Sequence, residues 1–151
     1  RFAGRRADGL ITSVKDPVDT IERVIGPFNE SSTKHGNAGT VLATRWTVFA
    51  EDADDAWRAL GSMRGLRAPG RLEAVDPMVL RQRADEMDRS QILGKYTIVG
   101  DTQGLIDAYL PLVHDVGADY VSVQVATTHV DQLMDMMEHE VLPELRKAAT
   151  D

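Results

Sequence analysis

Cysteine is absent from this 151-residue chain, which excludes disulfides and thiolate chemistry. No apolar run approaches the roughly 18 residues that a membrane-spanning helix needs, and no secretory leader pattern opens the sequence. Basic charge is in deficit. Lys and Arg number 17 against 24 Asp and Glu, a formal net charge of -7, which argues against general nucleic-acid binding because that requires basic surface to displace counterions. An acidic total leaves room for a local basic pocket that takes an anionic ligand. The four histidines, His35, His114, His129 and His139, share no metal-ligand spacing, and Glu138-His139-Glu140 is no zinc-helix signature, so no metal is expected. With 42% hydrophobic and 27% charged residues, the composition is that of a globular domain, and the length suffices for one core. The expected location is cytoplasmic.

The segment Gly9-Leu10-Ile11-Thr12-Ser13-Val14-Lys15-Asp16-Pro17 carries the most information. A short apolar run breaks into hydroxyls and a lysine and then into Asp-Pro, a helix-starting pair in which Asp caps and Pro lacks an N–H that would go unpaired. This is a β-strand that delivers polar side chains at its C-terminal end, where α/β proteins keep their chemistry. The helix that follows carries Val18, Ile21, Val24, Ile25 and Phe28 at helical spacing, with Gly26-Pro27 as a kink. Ser31–Gly39 has no apolar stripe and reads as a loop. Thr40–Phe49 is the best long strand, Glu51–Met63 a helix, and Arg64–Arg71 a basic loop punctuated by Gly and Pro. Asp76-Pro77 opens a helix through about Met87, Ser90–Lys95 a short helix, and Tyr96–Val99 an extended segment. A helix capped by Asp101 or Thr102 reaches Val116, kinked at Pro111. Tyr120–Ala126 is a strand and His129–Arg146 a terminal helix, in which Met134, Met136 and Met137 serve packing or a subunit contact. Strands alternating with helices predict a parallel α/β sheet, with only three convincing long strands.

The ordered set Phe2-Ala3-Gly4-Arg5-Arg6-Ala7-Asp8-Gly9, Ile11–Lys15, Asp76-Pro77 through Ala84-Asp85, Gln91–Asp101, Gly117–Val121 and Glu140–Arg146 resembles luciferase-like flavin and deazaflavin oxidoreductases. Within that family it is similar to the branch that uses coenzyme F420, typified by glucose-6-phosphate dehydrogenases. The resemblance implies a (β/α)8 barrel, of which residues 1–151 would be the C-terminal segment of a single domain carrying about three strands, since such barrels need about 250 residues. The chain opens on Arg1 rather than Met, inside what reads as a helix, which agrees with that expectation. The N-terminal half of the barrel would then be the missing partner, holding the catalytic acid and base and most coenzyme contacts, so no catalytic or cofactor residue is assigned here.

The resemblance implies hydride transfer between F420 and an alcohol or carbonyl substrate, a sugar phosphate among the options. An FMN-dependent luciferase-like monooxygenase is the nearest alternative, and a non-catalytic α/β binding module is an alternative of another class. The family's phosphate-holding positions fall on Thr12, Lys15, Gln82 and Lys95. Lysines suit phosphate as compact charges and the hydroxyl adds direction. Gln82 is neutral where the family has a basic residue; Arg81 and Arg83 flank it but point about 100° away. That departure weakens glucose 6-phosphate as the substrate. Arg64, Arg67 and Arg71 form either a lid over an anionic ligand or a solvated loop. Trp46 and Trp57 are expected in the core. The expected partners are a small-molecule substrate and a second copy in a homodimer, with no nucleic acid and no membrane.

Overall fold

The computed structural model describes residues 1–150. Its centre is a parallel sheet of four strands, β1 (Gly9–Ser13), β2 (Thr40–Phe49), β3 (Thr97–Val99) and β4 (Tyr120–Ala126). Three long strands were expected and appear; β3 is three residues only. β4 pairs with residues 42–48 of β2 without a break. β1 pairs with residues 40–44 and β3 with residues 47–49, so these two share the other edge of β2, one after the other. The sheet is not closed into a barrel.

Helices precede, connect and follow the strands: α1 (Phe2–Arg6), α2 (Pro17–Thr20), α3 (Gly26–His35), α4 (Ala53–Leu60), α5 (Pro77–Asp85), α6 (Arg89–Leu93), α7 (Thr102–His114), α8 (Val130–Met136) and α9 (Leu142–Ala148). The aspartates foreseen as caps act as such: Asp16 Oδ1 accepts from the Asp19 amide at 3.0 Å, Asp76 Oδ1 from Met78 at 2.8 Å, and Asp101 Oδ1 from Gly104 at 2.8 Å. Each satisfies an amide that has no partner inside its helix.

One reading is corrected. Only the second part of Ser31–Gly39 is a loop: α3 runs to His35 and ends on Gly36, whose φ of 70° suits glycine, and residues 36–39 connect it to β2. The polar residues concealed a helix because its packed side is built from small hydroxyl residues. Ser31 and Ser32 are buried against α1, where a Cβ on Gly4 would stand 2.6 Å from Phe28 O and 2.7 Å from Ser31 Cβ. Serine allows the close approach, and Ser31 satisfies its hydroxyl by donating from Oγ to Arg1 O at 2.9 Å. The expected kink at Gly26-Pro27 is a widened π-helical turn over Ile21–Ile25, with Pro27 in the first turn of α3. That shift of register leaves Ile25 and Phe28 buried but Val18 and Val24 exposed.

The main core lies between one face of the sheet and α3, α7, α8 and α9. Val14, Val41, Ala43 and Phe49 meet Leu105, Tyr109, Leu112, Val141 and Leu145 there. A second cluster caps the C-terminal end of the opposite face, where Val48, Ala50 and Ala126 meet Ala56, Leu60 and Leu93. The rest of that face is open: Ile11 is 74% and Tyr120 63% exposed. No helix among the described residues is long and apolar enough to cross a membrane.

Candidate functional site

In open α/β sheets ligands sit beyond the carboxyl ends of the strands. Here β1 exits into Lys15, and the excursion between β2 and β3 folds over that end as a 3-10 turn (Gly61–Arg67) followed by α5 and α6. Two lobes result, of about 420 Å³ and about 200 Å³, and both are walled by Lys15, Arg67 and Lys95. The larger adds Arg71, Leu66 and Leu72. The smaller reaches the sheet at Ser13, Arg45, Trp46 and Thr97.

Local chemistry holds these cations in place. Lys95 Nζ donates to Arg67 O at 2.9 Å, which fastens the lysine to the end of the 3-10 turn. The Arg67 guanidinium lies 5.0 Å from the ring centre of Tyr96, whose hydroxyl donates to Met63 O at 3.1 Å and whose pKa burial pushes up. Arg67 Nε is buried without a hydrogen-bond partner among the described residues. Beneath them Arg45 donates to Val14 O at 3.2 Å and to Ala108 O at 2.6 Å; burial lowers its pKa from the ordinary arginine value. Against Lys15, Arg67, Arg71 and Lys95 the larger lobe sets one carboxylate, Glu73. None of those four cations forms a salt bridge among the described residues. In a chain of net charge -7, a concave surface of this sign attracts anions.

The four positions foreseen for phosphate do not all meet. Lys15 and Lys95 wall both lobes. Thr12 lies on β1 in phase with Leu10 and Val14, whose side chains enter the main core, and it lines neither lobe. Gln82 stands on α5 in a separate groove with Met78, Val79 and Glu86, bonded to Glu86 Oε1 at 3.1 Å. The three loop arginines also divide. Arg64 is buried, donates to Asp85 Oδ1 at 2.6 Å and stacks 4.7 Å from the Trp57 ring centre, so it is a structural post. Its hydrogen bond holds the Asp85 carboxyl below the usual carboxylate range. Arg67 and Arg71 face the larger lobe. Trp46 is half-buried at the inner lobe rather than enclosed in the core.

Sequence reasoning did not single out a polar cluster at the same end of the sheet. The Asp55 side chain, at the start of α4, accepts hydrogen bonds from Thr128 Oγ1 and the Glu51 amide, and lies 2.9 Å from His129 Nε2. Asp55 is 2% exposed. The Thr128 hydrogen bond is the largest cause that keeps its carboxyl below the usual range. The cluster ties the turn after β2 to the turn after β4. Its only sequence signal was an aspartate on the apolar side of an amphipathic helix.

No protein-family model matches the chain, and no curated protein matches it. Solved structures do match in fold. An F420-dependent secondary alcohol dehydrogenase, in complex with an F420-acetone adduct, superimposes with a TM-score of 0.74 at 21% identity over 99% of this chain and 45% of its own. The coenzyme F420-dependent tetrahydromethanopterin reductase of Methanopyrus kandleri gives 0.60 at 19% identity, over 95% and 47%. A riboflavin lyase with modified FMN and riboflavin gives 0.56 at 15% identity, over 97% and 40%. The chain thus has a parallel α/β fold in common with these structures and spans less than half of their length.

Proposed function

We propose that the chain is the C-terminal segment of a luciferase-like oxidoreductase that uses coenzyme F420, and that it supplies the anion-binding side of the substrate site. The reaction in this reading interconverts an alcohol and a carbonyl, with the deazaflavin as hydride partner. The observation that carries the proposal is the placement of Lys15 and Lys95, with Arg67, at the exit of β1, on a fold that superimposes best among the matches described on an F420-dependent dehydrogenase. Lys15 and Lys95 bind and orient an anionic group of the substrate, leaving its reacting carbon toward the inner lobe and the sheet. A sugar phosphate belongs to that class. Thr12 and Gln82 take no part in this version of the site.

The residues present do not form a seat for the whole coenzyme. The inner lobe, at about 200 Å³, is smaller than the roughly 300–1,000 Å³ usual for a drug-sized ligand, and the larger lobe, at about 420 Å³, is given to the substrate in this reading. Coenzyme contacts and the proton-transferring groups therefore belong to the remainder of the barrel in this reading, and the protein is a cytoplasmic homodimer. FMN is the second reading, supported by the riboflavin lyase among the fold matches. Titration of the native protein with F420 and with FMN, followed by absorbance and fluorescence, separates the two. Binding of F420 alone supports the proposal; binding of neither removes it.

A further inference from the structure

The larger lobe carries more than a charge. Apart from its four cations and Glu73, its wall is Leu66, Ala68, Gly70 and Leu72. No serine, threonine, asparagine or glutamine side chain faces it. A polyol there would find only the four cations and Glu73 as side-chain partners, and its carbons would cover little of the leucine surface. A bare inorganic anion would leave most of its roughly 420 Å³ as water. Leu66 and Leu72 are 51% and 91% exposed, and Leu72 is presented at the tip of a tight turn in which the Glu73 and Ala74 amides both donate to Gly70 O, at 3.1 and 3.2 Å. Apolar side chains held out beside unpaired cations gain most from a ligand that covers both.

Resting on the anion-site reading above, we infer that the substrate is an amphiphilic organic anion: its acidic group lies between Lys15, Arg67 and Lys95, and an apolar substituent covers Leu66 and Leu72. The area so removed from water strengthens binding in proportion to the chain that contacts the leucines, by up to about fourfold per methylene when fully buried.

Calorimetric titration of the native full-length protein with methyl, butyl and hexyl phosphate, and with hexanol, tests this. The expected result is that hexyl phosphate binds at least about tenfold more tightly than methyl phosphate, that hexanol does not bind, and that Leu72→Ser removes most of the gain with chain length. Leu72 is 91% exposed, so that variant is expected to leave folding intact. Equal affinities for methyl and hexyl phosphate would overturn the amphiphile while sparing the anion site. Absence of phosphate binding of any kind would overturn both. Retention of the native protein on phosphatidate vesicles without binding of soluble hexyl phosphate would also overturn it, since the anion would then be a membrane surface.

Discussion

Asp55 and His129, 74 positions apart in the chain, meet with Asp55 Oδ2 2.9 Å from His129 Nε2. The contact joins the turn leaving β2 to the turn leaving β4, and the ring of Phe49 packs edge-on to His129 with centroids 6.5 Å apart. Thr128 and the Glu51 amide also donate to the carboxylate, and Arg58 pairs with its Oδ1 at 3.3 Å. The lobes that Lys15 and Lys95 wall open at the same end of the sheet.

Removing that carboxylate has a predictable pH signature. Because the folded pKa of Asp55 lies below its ordinary value, the stability it contributes is present above the unfolded pKa, about 3.9. It is lost as pH falls through the folded value. Asp55→Asn should lower stability by about 1–3 kcal/mol at neutral pH, and the difference from the parent should shrink below about pH 4. Thermal unfolding of both proteins from pH 7 to pH 3 checks it; a constant gap at all pH values would contradict the assignment.

Lys15→Met should weaken binding of a phosphorylated ligand by roughly tenfold to a hundredfold, the worth of one charge-assisted hydrogen bond. It should leave an uncharged analogue of the same ligand unaffected. Lys95→Met should do the same but also loosen the 3-10 turn, because Lys95 Nζ holds Arg67 O. Paired titrations with charged and neutral ligands, repeated at raised salt, separate charge from shape.

Tyr109 is fully buried beneath the sheet, its hydroxyl 2.9 Å from Thr47 Oγ1 and 3.0 Å from Arg45 O. The Gln124 amide donates to it at 3.2 Å. Tyr109→Phe keeps the ring and strands these partners, so a loss of about 1–3 kcal/mol is expected. Urea unfolding reads it, with ligand binding at Lys15 unchanged.

Gly4→Ala should separate α1 from α3, since the new methyl would fall 2.6 Å from the backbone oxygen of Phe28 and 2.9 Å from the Ser32 amide nitrogen. Neither is the end of a flexible side chain. A cost of about 1–3 kcal/mol follows from such overpacking, measured by chemical unfolding. Alanine at the exposed Gly36 position would instead report only the strain of its φ of 70°.

Local chemistry was legible in the sequence: strands from β-branched runs, helix starts from Asp-Pro pairs, and a lysine at the exit of the first strand. Each depends on near neighbours in the chain, through capping, alternation and the missing proline N–H. The amino-acid sequence by itself therefore determined the α/β order and the polar strand end. Tertiary structure decided which charges meet. Arg64, Arg67 and Arg71 look alike in sequence, yet Arg64 ends as a buried post on Asp85 while Arg67 and Arg71 face the lobe. Thr12 and Lys15 are three residues apart, yet the pleat turns Thr12 to the helices and the strand's end frees Lys15. Lys95 reaches Lys15's side of the site across 80 residues only because α5, α6 and the 3-10 turn fold over the sheet. Asp55 and His129 likewise depend on β2 and β4 lying side by side in register. Pairings across such distances are set by packing of the whole chain, and no local propensity encodes them.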